Sequence, residues 1–152
     1  MLVLPTQAGA MVEMKGAPTD LALLGLKVGP STSFLTAAKF AAYRTSSSSR
    51  RIAYVALVAA GDSPSLQTHI SVAGPGGAVG AVATDTGLID TRSEDPGQSG
   101  GAEECGTNTA ASPVQVCIWA DSIGLGVVVT APGVSRDDAV NYTTALRQAV
   151  EQ

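Results

Sequence analysis

The chain has 152 residues, 45% of them apolar, and 13 acidic against nine basic side chains give a formal charge of −4. That is enough chain for one domain with a real core, and too apolar for a disordered one. Arg50-Arg51 is the sole adjacent basic pair, so the basic face that nucleic acid or an anionic membrane surface demands is missing.

The longest clean apolar run, Ile52–Ala60, falls far short of the roughly 20 residues of a membrane-spanning helix. The opening MLVLPTQAGA has neither the basic stretch nor the apolar length of a signal peptide. A cytosolic chain, or a piece of a longer exported protein, is the expectation. Alanine is abundant, glycine occurs 17 times, and aromatics are few. Small side chains bury little area each, so close backbone packing must carry much of the stability.

In chain order, residues 1–17 give few signals, and Leu2, Val3 and Leu4 suggest a segment lying across the body. Pro18-Thr19-Asp20 before four leucines, with Gly29-Pro30 after them, predicts a short helix over about 19–27. Phe34–Tyr43 is ambiguous by period; read as a strand, it pairs with the next apolar run, giving an antiparallel pair over 34–44 and 51–60. The second member, RIAYVALVAA, is rich in β-branched residues and apolar throughout, the pattern of a central strand covered on both faces. Ser63-Pro64 opens a helix over about 64–72, which Gly74–Gly77 ends. Ala78–Leu88 reads equally well as a second short helix or as irregular chain. Asp90–Gly101 is a polar, turn-rich connection.

Ala102–Thr107 is a candidate strand, and Val114–Ala120 a clear one. Val116, Ile118 and Ala120 face one way; Cys117 and Trp119 face the other. Gly124–Ala131 is its hairpin partner, with Gly124 and Gly126 leaving room for a large neighbour such as Trp119. Ser135 with Asp138 three residues on starts a final helix. Ala139, Tyr142, Leu146 and Ala149 form its apolar stripe. Trp119, Tyr54, Tyr142 and Leu146 are the expected structural core.

Few residues suggest chemistry. Cys105 and Cys117 are 12 apart, on strands that can be neighbours, so a disulfide is expected; two buried reduced thiols are the rival reading. Two cysteines and one histidine cannot complete a four-ligand zinc site, and no cofactor is expected. Gly97-Gln98-Ser99-Gly100-Gly101 matches G-x-S-x-G by letter, but neither the strand before nor the helix after a nucleophile elbow is present. His69 is the only histidine available as its base, and a glycine-rich turn explains the same letters. Gly74–Gly80 lacks the lysine of a phosphate-binding loop. Glu94-Asp95 and Glu103-Glu104 lack the spacing of a calcium loop. Asn141-Tyr142-Thr143 is a glycosylation sequon by letter, placed on a helix.

Several stretches resemble a family. They are Leu4-Pro5, the strand with Tyr43, the apolar strand 52–60, and Asp95-Pro96-Gly97…Gly100-Gly101…Cys105-Gly106-Thr107. Val116-Cys117-Ile118-Trp119-Ala120-Asp121, Gly126-Val127-Val128 and the closing Leu146–Glu151 continue the pattern. The chain is similar, over nearly its whole length, to the extracytoplasmic domain of uncharacterised actinobacterial membrane-anchored or secreted proteins. In these a membrane or lipoprotein segment and a Pro/Gly-rich linker precede the domain; neither is seen in this chain. The resemblance implies a location outside the cytoplasmic membrane and a Cys105–Cys117 cystine, and it transfers no catalytic residue. Without the disulfide, a cytoplasmic location would follow instead.

The expected fold is thus α+β: one domain over 1–152, with an antiparallel sheet of about five strands, helices packed on it, a long C-terminal helix and one disulfide. The expected function is a non-catalytic binding or interaction module outside the membrane, its partner a cell-envelope protein or a small ligand. Self-association as a structural homo-oligomer, and a serine hydrolase built on Gly97–Gly101, are the alternatives.

Overall fold

A computed structural model describes residues 2–16, 29–109 and 112–150. The helix expected over about 19–27 lies outside the described residues. Among the described residues the sheet has eight antiparallel strands rather than about five: β1 (Gln7–Ala8), β2 (Met11–Met14), β3 (Lys39–Thr45), β4 (Arg51–Ala59), β5 (Ile89–Glu94), β6 (Ala102–Asn108), β7 (Val114–Ala120) and β8 (Gly124–Thr130). Their spatial order, β1-β2-β3-β4-β8-β7-β6-β5, makes two four-stranded meanders joined along β4 and β8. Helix α1 (Pro64–Asp85) links the meanders, and α2 (Arg136–Val150) follows the second.

The two helices cover opposite faces of the sheet. Under α1 lie Ala56 and Val58 of β4, Val116 and Ile118 of β7, and Leu125 and Val127 of β8. Under α2 and the N-terminal stretch lie Val55, Leu57, Trp119 and Val128, with Leu2 and Leu146 above them. Both faces of the central strands are therefore dry, which is why β4 and β8 read as unbroken apolar runs. All seven residues of β8 are buried.

Four expectations about individual elements need correction. The first is the strand begun at Phe34. Pro30–Ala37 is a 3₁₀ helix, and β3 starts only at Lys39. Pro30 at the first helical position favours the turn, which buries Thr32, Phe34 and Leu35 against α1 and the sheet. The turn is tied to the end of α1, where Ser31 Oγ and Thr32 Oγ1 donate to Asp85 Oδ2 at 3.0 and 2.9 Å.

The second concerns Gly74. It does break the helix, with φ 78° and ψ 170°, but Pro75 restarts it and the chain stays helical to Asp85. Glycine in a left-handed conformation followed by proline at a first helical position suits both a stop and a start. The third is Asp90–Gly101, which contains edge strand β5 before its turn. Every residue of β5 but Glu94 is exposed, so backbone pairing with β6 makes this strand without an apolar face. The fourth is the hairpin β1–β2 in the first 17 residues, again too short to show a period.

Trp119 does occupy the space left by glycine. It is 1% exposed, and a Cβ on Gly126 would stand 2.1 Å from the indole Cη2. Leu2 and the Val58 carbonyl similarly fill the space beside Gly124. Leu146 is fully buried, while Tyr142 is half-buried beside it on α2. Tyr54 is also half-buried, with the Arg51 guanidinium 3.9 Å over its ring.

Gly126→Ala therefore forces the indole or the backbone of β8 to move. The expected cost is about 2 kcal/mol, typical of overpacking a dense core. Urea denaturation measures it; a midpoint equal to that of the parent would show that the indole can shift freely.

Candidate functional site

The disulfide forms, as the cysteine spacing suggested. Cys105 and Cys117 are direct register partners on β6 and β7, with Cα atoms 4.1 Å apart. Both sulfurs face α2, and Ala139 packs over them with Val134 and Val140. Arg136, at the start of α2, binds this region from above. Its Nε donates to Gln115 Oε1 at 2.6 Å, and its terminal nitrogens to the carbonyls of Cys105 and Asp90 and to Thr107 Oγ1.

Two residues before Cys105, on the same face of β6, stands Glu103. The sequence singled it out only within two acidic pairs that lack the spacing of a calcium loop. Its side chain lies between register partners Glu94 on β5 and Trp119 on β7. The residue is 4% exposed, and its buried Oε2 has no hydrogen-bond partner among the described residues. A buried carboxyl oxygen without a partner is costly, and like charges directly opposite each other on neighbouring strands add to the cost. Glu94 is partly compensated by Arg92, whose Nε lies 3.2 Å from its Oε1.

Glu103 borders a cleft of about 460 Å³. The turn Asp95–Ser99 forms one wall; Thr144, Arg147 and Gln148 of α2 form the other. Glycine is required in this turn for conformation: Gly97, Gly100 and Gly101 all have φ near +70°, and a Cβ on Gly101 would collide with the Ala120 carbonyl. The Asp95 carboxylate accepts the Gly97 amide at 2.8 Å, a local turn bond.

Arg147 holds the turn to the helix. It is 2% exposed, its Nη1 donates to the Pro96 carbonyl at 3.1 Å, and its Nη2 donates to the Gly100 carbonyl. Its charge is met by Asp121, 3.2 Å away and itself buried. The other oxygen of Asp121 accepts the Ile123 and Gly124 amides of the β7–β8 turn. One arginine thus joins α2, the glycine turn and the β7–β8 hairpin.

The sequence candidates for catalysis are not brought together. Ser99 is exposed at the cleft, on the α2 side of the sheet. His69 lies on α1, across the sheet, with its ring edge-on to Phe34 at 5.8 Å. Thr143 of the sequon is buried and donates to the Ala139 carbonyl within the helix. Among the described residues, no group of three or more His, Cys, Asp and Glu is placed to hold a metal ion. No family model, curated protein or solved structure matches the chain.

Burial pushes the Glu103 carboxyl up to about 7. Arg147 opposes the rise, and Glu94 and Asp95 add to it. Tyr43 is raised too, by burial and then by Glu13 across the β2–β3 pair, and its hydroxyl donates to the Pro5 carbonyl at 2.7 Å.

Glu103 therefore holds its proton more tightly when folded than when unfolded. Its contribution to stability is complete below its ordinary value of 4.5 and is lost as pH rises through about 7. Glu103→Gln should remove this slope, leaving the variant more stable than the parent at pH 8, by up to roughly 3 kcal/mol. Denaturation from pH 4 to 8 tests it; equal slopes in the two proteins would place the titration elsewhere.

Proposed function

We propose that this chain is a non-catalytic binding module that works outside the cytoplasmic membrane and holds a small polar ligand in the cleft over Glu103. The observation that carries this reading is the buried oxygen of Glu103, a residue lining an open cleft, which has no partner among the described residues. Folding leaves its hydrogen-bonding capacity unused, and a ligand would satisfy it. The cleft is within the size range of small-molecule sites, and its uncharged polar groups suit a small hydrogen-bonding guest.

The compartment is supported by the staple. Disulfides persist in oxidising surroundings, and this one closes a 13-residue loop, which the chain-entropy argument values at about 3 kcal/mol. Among the described residues, no helix is long and apolar enough to cross a membrane. The serine-hydrolase alternative loses its base, because Ser99 and His69 lie on opposite sides of the sheet. Resemblance to membrane-anchored or secreted actinobacterial domains points to the same compartment.

Two measurements test the proposal. Mass spectrometry of the protein from its natural setting should find Cys105 and Cys117 joined; free thiols at both would remove the exported location. Amide spectra of the oxidised protein, titrated with a small amine, a neutral sugar, a carboxylate and a short peptide, should move around Asp95, Ser99, Glu103 and Gln148 for at least one probe. If the cleft stays silent to all four, the binding reading fails.

A further inference from the structure

We propose that the cleft over Glu103 is a site for a primary ammonium group, so that the ligand of the binding module is an amine; this rests on the binding reading above. The ligand class follows from the balance of charge around the cleft. Two carboxyl groups line the cleft, Glu103 beneath and Asp95 in the wall, and Glu94, paired with Arg92, stands opposite Glu103 across the β5–β6 pair. The cation lining the cleft is Arg147, ion-paired with Asp121 and donating to the carbonyls of Pro96 and Gly100. An anionic guest would have to compete with all of these contacts and would face Asp95 and Glu103 besides. A neutral polyol would bring no charge to set against Asp95.

An ammonium group answers both deficits. It brings one positive charge and three N–H donors, with no acceptor of its own to satisfy. Glu103 takes one donor and Asp95 another, and the hydroxyl oxygen of Ser99 or Thr144, both lining the cleft, is an acceptor for the third. The terminal torsion of glutamate is broad, which lets a carboxylate oxygen turn from its buried position toward the guest. A substituent on the amine would lie along Pro96 and the stem of Gln148.

Binding is then coupled to a proton. The neutral Glu103 carboxyl gives up its proton to solvent as the ammonium arrives, and the carboxylate that remains pairs with the guest. The charged groups facing Glu103 are Glu94 and Asp95 from the β5 side and Arg147 from α2, with Asp121 behind Arg147. Affinity should rise with pH through about 7, as Glu103 loses its proton before the guest arrives. It should fall again where an alkylamine loses its charge, at about pH 10.

Calorimetry on the full, oxidised chain tests this, with n-butylammonium, glucose and acetate as probes. Butylammonium should bind about tenfold more tightly at pH 8 than at pH 6, the ratio expected for one carboxyl titrating midway. At pH 6 the heat should vary with the ionisation enthalpy of the buffer, showing proton release. Glu103→Gln should abolish the pH dependence and weaken binding at least tenfold. Asp95→Asn, at an exposed position that should tolerate the change, should weaken it severalfold. Amide shifts around Asp95 and Glu103 place the guest. Butylammonium binding that ignores pH and Glu103→Gln would overturn the assignment. So would cleft binding of glucose or acetate with butylammonium silent, a result that leaves the binding module standing. Silence from all three would count against both.

Discussion

The pairing of β4 with β8 is the constraint on which the rest of this molecule depends. Each four-stranded meander is built from local hairpins, but the two come together only along seven register pairs from Ala53–Thr130 to Ala59–Gly124. The pairing is long in sequence, so its loop-closure cost must be met by what it buries. It buries both faces at once. Val58 and Val127 lie under α1, and Val55 and Val128 lie under α2. Within the second meander Trp119 needs space beside its register partner, and Gly126 on β8 provides it. A chain poor in aromatics thus fills its second core with one indole set against bare backbone.

What could be read from the sequence is what this burial imposes. Central strands covered on both faces leave unbroken apolar runs, and β4, β7 and β8 were visible for that reason. The stripe Ala139–Tyr142–Leu146–Ala149 and the Ser135 cap, whose Oγ accepts the Asp138 amide at 3.1 Å, made α2 visible in the same way. The elements that escaped are those formed by backbone bonding alone. β5, with sequence Ile89-Asp90-Thr91-Arg92-Ser93-Glu94, has no apolar alternation, because one edge of it is water. The 3₁₀ turn at Pro30–Ala37 depends on Asp85, more than 50 residues away, and no local window contains that fact.

The site was less legible than the fold. Glu103 looked like one more acidic surface residue, because its neighbour Glu104 is acidic too. Alternation along β6 separates them: Glu103 joins Cys105 on the α2 face, and Glu104 faces the other way. A β6 strand with its cystine under α2 would have placed Glu103 in the interior, so the signal was there once the cystine was accepted. The buried Arg147 was the other clue. It stands in the second half of α2, three positions after exposed Thr144 and one before exposed Gln148, where an arginine is ordinarily solvated. It lies instead on the flank that meets the glycine turn, with Asp121 as its ion partner. Buried pairs of this kind contribute little net stability but are costly to break, so they fix geometry more than they add free energy.

Staple and cleft share their supports, and this gives the disulfide a role beyond stability. Cys105 and Glu103 are two residues apart on one face of β6, so the bond to Cys117 holds the strand in register right beside the carboxyl. On α2, Ala139 sits over the sulfurs and Arg147 over the glycine turn, eight residues on and about 12 Å along the helix. The same strand and the same helix therefore position both features. Among the described residues edge strand β5 pairs with β6 alone, so the Asp95–Ser99 wall that follows it rests on the element the staple secures. A carboxyl kept buried and unpaired tends to escape by local opening toward water. Fixing β6 through the cystine and the turn through Arg147 opposes that route, so Glu103 stays buried. Those ordering costs are met on folding, so the walls of the cleft are set in place before any guest could arrive.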